Sequence, residues 1–216
     1  MTVSVATLGF PPIGLPRELK FPLESYWAGK SSLTDLQTAA AGLRALHWTR
    51  QKALGADILP SNDFSLYDHV LDTSALVGAI PPRYDWAADT VDPDLYFAMA
   101  RGAQNACCGG DTTAMEMTKW FDTNYHFLVP ELTAGQTFRI ASTKIFDEFA
   151  EAKALGYQTR PVLLRPVSYL MLAKGKAVEP LARLLAGDDD LFAIWMIRAH
   201  VRSRLRQREA PHGRAA

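Results

Sequence analysis

The stretch LGFPPIGLPRELK, residues 8–20, marks the point where a predicted strand gives way to a predicted helix. Residues 3–8 alternate and include β-branched side chains, which favours a strand, and the glycines and prolines that follow predict a turn. Arg17 and Lys20 then stand at the start of the predicted helix. A strand end, a turn and cations at a helix start are typical of sites that hold polyanionic small molecules. The alternative is that both side chains are only solvated charges on a helix face.

Strand and helix patterns alternate along the rest of the chain. We expect helices at residues 17–28, 32–54, 64–77, 93–101, 143–155 and 167–173, and strands at residues 3–8, 56–59, 138–141 and 161–164. Residues 102–113 are expected to form a flexible loop, and residues 115–129 to be partly strand and partly turn. Pro22 should kink or split the first helix, and Asp63 should cap the third. The alternation predicts an α/β fold with parallel strands.

The composition is that of a globular chain whose charge is unevenly distributed. Of 216 residues, 48% are hydrophobic and 21% are charged. Six arginines and one acidic residue lie at residue 198 or later. Of the 23 basic and 23 acidic residues in the chain, 17 basic and 22 acidic ones therefore lie before residue 198, which makes that part of the chain mildly acidic. The basic end lacks interleaved aromatic residues, and we therefore expect no nucleic-acid binding.

The sequence gives no sign of a membrane or secretory protein. No apolar run reaches the length of a membrane span, and residues 1–10 lack the basic region and cleavage site of a signal peptide. Its two cysteines, Cys107 and Cys108, are adjacent and make no disulfide framework. We expect a reducing, cytoplasmic setting.

Lys119 lies in the aromatic-rich run MEMTKWFDTNYHFLV, residues 115–129. A lysine among bulky apolar neighbours directs its ammonium group to water or to an anion. The aromatic side chains beside Asn124 and His126 resemble the wall of a cleft. The alternative is a lysine that reaches solvent from a strand edge.

Asp63, Asp68 and His69 follow another predicted strand and could serve as acid, base or ligand, although a structural role is the more frequent one for such residues. The five histidines are scattered, and no pair has the spacing of a helical zinc site. No nucleotide-binding loop and no nucleophile motif is present. The residues alone therefore predict no metal site and no catalytic residue.

Several segments resemble the N-terminal barrel of the cobalamin-independent methionine synthase family. The matching stretches are residues 8–14, 17–20, 25–29, 58–74, 96–102, 116–131 and 159–174. The motifs SNDFSLYDHVLDTS, residues 61–74, and EMTKWFDTNYH, residues 116–126, are long enough to make the resemblance specific.

The resemblance implies a fold of two (βα)8 barrels and methyl transfer from 5-methyltetrahydropteroyltriglutamate to homocysteine in methionine biosynthesis. By motif match, Arg17, Glu18, Leu19, Lys20 and Lys119 would bind the folate substrate. Glu18 and Leu19 would contribute backbone groups. The family's zinc ion and its homocysteine site belong to the C-terminal barrel, so that residues 1–216 would bind no cofactor and would meet homocysteine only together with that barrel.

We therefore expect residues 1–174 to form a partial (βα)8 barrel of four or five strands, the first half of the N-terminal barrel. Residues 175–216 depart from the family and are expected to form a divergent, basic, helical tail, with helices at 179–185 and 191–208. This arginine-rich end suggests a truncated or frameshifted gene. Two further departures are Pro12, where the family usually has a basic residue, and Arg165, which replaces a glycine at a tight turn.

Three functions stay open at this point. The chain could be the folate-binding part of a methionine synthase that is inactive alone, a non-catalytic module that binds folate polyglutamate, or an inert gene remnant. A partial barrel leaves a strand edge and an apolar helix face uncovered, so we expect marginal stability or aggregation unless the tail covers them.

Overall fold

The computed structural model describes residues 3–12, 14, 16–103, 112–133 and 137–174. Its helices are α1 (Lys20–Trp27), α2 (Leu33–Ala53), α3 (His69–Val77), α4 (Pro93–Arg101), α5 (Lys144–Ala154) and α6 (Pro166–Leu172), and its strands are β1 (Leu59–Ser61), β2 (Met117–Lys119), β3 (His126–Leu128) and β4 (Thr159–Pro161). A short 3-10 helix spans Pro82–Tyr84. The expected tail helices, the two cysteines and most of the loop at 102–113 lie outside the described residues.

The chain divides into two compact units, one of Met1–Leu66 with Ile145–Val162 and one of Tyr67–Lys144 with Leu163–Ala216. In the first unit, β1 and β4 pair in parallel, with Leu59 opposite Thr159. Ala6 adds a parallel bridge to Ile58 on the other side of β1. The mixed α/β class with parallel strands is confirmed. The strand expected at residues 3–8 is reduced to this single bridge, because only Val5 and Ala6 meet the backbone of the residues before β1.

Both paired strands are displaced from their predicted positions. The expected strands are residues 56–59 and 161–164, whereas the ladder spans residues 59–61 and 159–161 and includes Pro60 and Pro161. The hydrogen bonds of the ladder run from Leu59 N–H to the Gln158 carbonyl and from Val162 N–H to the Ser61 carbonyl. Because these bonds need no N–H from either proline, the strands continue through them.

Helix α2 anchors the core of the first unit. The Ser32 side chain accepts a hydrogen bond from Asp35 N–H while the Asp35 carboxylate accepts one from Ser32 N–H, so a capping box starts the helix. Trp48 on this helix is 2% exposed and packs with Ala56, Leu59 and Ala152. The predicted helix at residues 32–54 is thus confirmed to within one residue at each end.

Helix α1 begins at Lys20, three residues later than expected. Pro22 is consequently its third residue, where a backbone N–H has no intrahelical acceptor. The missing N–H of the proline costs no hydrogen bond there, and α1 runs unbroken to Trp27. The expected kink is therefore wrong.

In the second unit, α3 packs against α4 and β3, and β2 and β3 form an antiparallel hairpin. Helix α3 begins at His69 with Asp68 as its cap, so the prediction of a helix from residue 64 capped by Asp63 is wrong. Residues 138–141 form no strand, because Arg139 and Ala141 donate to the carbonyls of Val77 and Leu76 at the end of a helix. The helices at 93–101, 143–155 and 167–173 are confirmed to within one residue.

Arg165 fits its turn without strain. It caps α6 with φ −75° and ψ 147°, a conformation open to any residue, and its side chain is exposed. The glycine expected at this position is therefore not required by the local backbone. Among the described residues, no helix is long and apolar enough to cross a membrane.

Candidate functional site

The turn before α1 holds Arg17 in a fixed conformation. Arg17 N–H donates to the Gly14 carbonyl and the Arg17 carbonyl accepts from Lys20 N–H, each at 2.9 Å. The Glu18 carboxylate accepts from Gly14 N–H at 3.0 Å. A Cβ atom on Gly14 would lie 2.7 Å from that carboxylate, so the turn closes tightly around the glycine.

Arg17 is a non-glycine residue in the left-handed region, with φ 56°. Such a conformation costs about 1–2 kcal/mol and persists only where the surroundings impose it. Here the two backbone hydrogen bonds of the turn impose it, and they leave the Arg17 side chain exposed. Leu19 next to it is 1% exposed, so its side chain anchors the turn in the core and only its backbone can face a ligand.

Lys20 is the first residue of α1 and its side chain is 44% exposed. Its ammonium group lies 3.6 Å from the carboxylate of Glu24, one turn along the helix. A cation at a helix N-terminus is repelled by the helix dipole, and the first turn of α1 carries no acidic residue. Arg17, Lys20 and the α1 N-terminus thus place three positive groups at one turn, beside the carboxylates of Glu18 and Glu24.

A second fixed point near this turn is His47 on α2. Its ring stacks on Phe10 with 4.6 Å between centroids, and Phe10 N–H donates to the Asp63 carboxylate at 2.8 Å. Asp63 therefore holds the segment before the turn, which corrects its expected role as a helix cap. Burial lowers the pKa of His47, with the Asp63 carboxylate opposing that shift.

Lys119 ends strand β2 and pairs with His126 across the hairpin. Its side chain is exposed. Within the ranges that the structure describes, no hydrogen bond or ion pair joins it to another residue. Lys119 thus offers a solvent-facing ammonium group at a defined position next to the hairpin turn.

The aromatic residues beside Lys119 gather at that turn around Trp120. Its ring makes edge-on contacts with Phe121, Tyr125 and Phe127, at centroid distances of 5.6, 6.4 and 5.7 Å. Phe127 is buried, whereas Phe121 is 77% exposed with a left-handed φ of 50°. The group is therefore partly core and partly surface, and its role as the wall of a cleft stays a prediction.

Asp68 proves to be a buried structural acceptor. Its carboxylate accepts from Leu71 N–H at 2.9 Å, from Leu128 N–H at 3.1 Å and from the Tyr125 hydroxyl. Burial raises the pKa of Asp68, and these three hydrogen bonds oppose the shift. His69 begins α3, and its N–H lies 3.4 Å from the Tyr125 hydroxyl. Sequence analysis missed Tyr125 as the partner of Asp68, because the two are 57 residues apart and no local pattern connects them.

A second buried carboxylate lies one turn further along α3. Asp72 accepts from the Tyr96 hydroxyl at 2.7 Å and lies 3.3 Å from the Lys144 ammonium group. Tyr96 belongs to α4, and its hydroxyl oxygen also lies 3.4 Å from the backbone nitrogen of Asp68. These contacts tie α3, α4 and the start of α5 together and were not anticipated from the sequence.

The predicted substrate-binding residues fall into both units: Arg17, Glu18, Leu19 and Lys20 belong to the first, and Lys119 to the second. Their convergence on one ligand stays a prediction. For zinc, the described part of the chain contains no group of three or more His, Cys, Asp or Glu residues that could hold a metal ion. The described residues therefore do not fit a zinc site.

Comparison with known families gives a match over most of the chain. Residues 4–196 match the family described as cobalamin-independent synthase, N-terminal domain. This range includes residues 175–196 of the segment that sequence analysis separates as a divergent tail. The boundary at residue 174 stays a prediction.

Individual relatives agree with the family match. A protein named 5-methyltetrahydropteroyltriglutamate–homocysteine methyltransferase from Caulobacter vibrioides is 59% identical over 201 residues, which cover 86% of this chain and 26% of the relative. Proteins of the same name from Nitrobacter winogradskyi and Bradyrhizobium diazoefficiens are 58% and 53% identical, covering 83% and 93% of this chain and 25% and 26% of their own lengths. The chain spans about a quarter of the length of the curated relatives it matches.

Proposed function

Since the chain belongs to the N-terminal-domain family of the cobalamin-independent methionine synthases, we propose that residues 1–216 bind the polyglutamate tail of 5-methyltetrahydropteroyltriglutamate. The reaction served would be methyl transfer from this folate to homocysteine, in methionine biosynthesis. The relatives' shared name supplies the two substrates. We also assign the protein to the cytoplasm, on the cysteine content alone.

The observation that carries the proposal is the cationic turn before α1. A triglutamate tail presents several carboxylates, which exposed guanidinium and ammonium groups bind through charge-assisted hydrogen bonds. Arg17 and Lys20 are accessible and stand at the positive end of a helix. In this proposal Glu18 and Leu19 contribute their backbone, while the Glu18 carboxylate and the buried Leu19 side chain keep the turn in shape.

Lys119 is proposed as a further cation for the same tail. Its ammonium group faces solvent, and no described residue neutralises it. A cation without a protein partner can bind a ligand carboxylate without first breaking an ion pair, whereas Arg83 and Lys174 in the same unit are each paired with a carboxylate. Among these three cations, Lys119 is therefore the best suited to bind a free carboxylate.

We also propose that the first unit is part of a (βα)8 barrel. The support is the parallel order of Ala6, β1 and β4, with α2 and α5 preceding β1 and β4. Parallel strands that alternate with helices are the repeating element of such barrels.

Residues 1–216 by themselves are proposed to bind folate without turning it over. The family resemblance assigns zinc to its C-terminal domain, and the described residues offer no ligand set for it. Homocysteine methylation by the purified 216-residue chain, measured with and without added zinc, would contradict this part of the proposal.

The test of binding is a calorimetric titration with 5-methyltetrahydrofolate that carries one or three glutamates. We expect the triglutamate form to bind more tightly than the monoglutamate form. Each of the variants Lys20→Ala and Lys119→Ala should weaken binding of the triglutamate form and have little effect on binding of the monoglutamate form. Lys30→Ala is the matched control, since Lys30 is an exposed lysine outside the motif. Equal affinity for both folates would refute the binding proposal and leave the inert remnant as the better account.

A further inference from the structure

Resting on the proposed role of Lys119, we propose that Asp68 and Tyr125 are positioning residues that hold the Lys119 hairpin in its binding geometry. The inference starts from the backbone of the hairpin. Trp120 N–H donates to the Tyr125 carbonyl at 2.8 Å, so Tyr125 lies across the turn from Trp120, the residue that follows Lys119. Whatever fixes Tyr125 therefore fixes the end of β2 that carries the ammonium group.

The element that fixes Tyr125 is the start of α3. The Tyr125 hydroxyl donates to one carboxylate oxygen of Asp68, and Leu128 N–H on β3 donates to the other at 3.1 Å. That second oxygen also accepts from Leu71 N–H, which makes Asp68 the cap of α3. A single side chain thus joins the start of α3 to Tyr125, which directly precedes β3, and to Leu128 on β3.

The energetics favour a rigid connection. Asp68 is 2% exposed, so water compensates little for a hydrogen bond that its carboxylate loses. Burial and the Asp68 carboxylate raise the pKa of Tyr125, so its hydroxyl stays a donor across the working pH range. Hydrogen bonds to a charged acceptor are stronger than those between neutral groups.

The connection to α3 adds to the hydrogen bonds that the turn makes within itself, from Thr123 to Trp120 and from Tyr125 to Thr123. Phe121 and Tyr125 are 77% and 46% exposed, and the Lys119 side chain has no described partner. A two-stranded hairpin is marginally stable alone. Without Asp68 and Tyr125, the Lys119 ammonium group would sample many positions and bind a fixed carboxylate less tightly.

The experiment uses Tyr125→Phe in the 216-residue chain, which removes only the donating hydroxyl. The readout is the ratio of the affinities for triglutamyl and monoglutamyl 5-methyltetrahydrofolate. We expect this ratio to fall by about three- to tenfold, because an interaction of roughly hydrogen-bond strength with the tail is lost. A general destabilisation of the protein would weaken the binding of both folates by the same factor and leave the ratio of affinities unchanged.

Two further variants make the test specific. Asp68→Asn keeps a side-chain oxygen that can cap α3, so the helix is retained. Because the Tyr125 hydroxyl loses its charged acceptor, this variant should also lower the ratio of triglutamate to monoglutamate affinity. In a Lys119→Ala background, Tyr125→Phe should change the ratio no further, because the two residues act as one unit. Tyr157→Phe is the control, since its hydroxyl contacts Thr49 in the other unit.

The outcomes separate this inference from the function on which it rests. A triglutamate preference in the wild type that Tyr125→Phe leaves intact would overturn the positioning role alone. An additive effect of Tyr125→Phe in the Lys119→Ala background would overturn it as well. A wild type without triglutamate preference would overturn both the proposed function and the positioning role.

Discussion

The indole N–H of Trp48 donates a buried hydrogen bond of 2.7 Å to the carbonyl oxygen of Pro60. This contact joins the C-terminal third of α2 to the middle of β1. It gives the buried Pro60 carbonyl a hydrogen-bond donor from a side chain.

Trp48→Phe tests this contact. Phenylalanine keeps most of the apolar packing but leaves the Pro60 carbonyl buried without a donor, which costs about 1–3 kcal/mol. We expect the unfolding free energy in urea to fall by that amount. Trp86→Phe is the control, because the Trp86 indole bonds the Thr90 carbonyl at an exposed site; an equal loss in both variants would contradict the assignment.

Arg44→Ala should destabilise the first unit strongly. Arg44 lies 3.7 Å from the carboxylate of Glu148 and 2.7 Å from that of Glu151, and Glu148 is only 4% exposed. Removing one partner of a buried ion pair costs about 3–5 kcal/mol. Urea unfolding of Arg44→Ala and Arg50→Ala measures the difference between their free energies of unfolding. Arg50→Ala is the control, because it removes an exposed arginine of the same helix.

The stability of the first unit should fall in mild acid because of His47. Its pKa is lowered by burial from the ordinary value of 6.5, so the unfolded chain takes up the proton first. The contribution of His47 to the free energy of unfolding is complete above pH 6.5 and is lost as the pH falls toward the pKa of His47 in the folded chain. The free energy of unfolding changes by at most about 1.4 kcal/mol per pH unit in this range.

Unfolding curves at pH 7.5 and pH 5.5, for wild type and His47→Gln, check this expectation. Other titrating groups are shared by both proteins, so the difference between the two pH dependences isolates His47. Parallel pH profiles would show that His47 titrates alike in the folded and unfolded chains.

A pair of glycine substitutions separates packing from conformation. Gly14→Ala places a Cβ 2.7 Å from the Glu18 carboxylate, which must move away and release the Gly14 N–H. We expect a loss of about 0.5–1.5 kcal/mol and faster amide exchange in the turn before α1. Gly42→Ala, exposed in α2 with nothing near its Cβ position, should instead stabilise the protein by about 0.5–1 kcal/mol.

Helix positions followed from the sequence wherever the signals were local. Ser32 with Asp35 starts α2, and Gly156 with φ 83° follows the end of α5, as their residue types predict. Strand positions did not follow, because the bonds of β1 are made with residues about 100 positions away. Asp63 and Asp68 show the same limit, since either could cap a helix and only the packed structure selects Asp68.

The sequence by itself determined the family, the α/β class, most of the helices and the motif residues Arg17, Lys20 and Lys119, because these depend on residue identity and on contacts within one or two helical turns. Only the tertiary structure decided the register of β1 with β4, the late start of α1 and the contact of Asp68 with Tyr125 and Leu128. The physical reason is distance along the chain. A buried carboxylate takes whichever donors packing brings to it, and two donors of Asp68, Tyr125 and Leu128, come from 57 and 60 residues away.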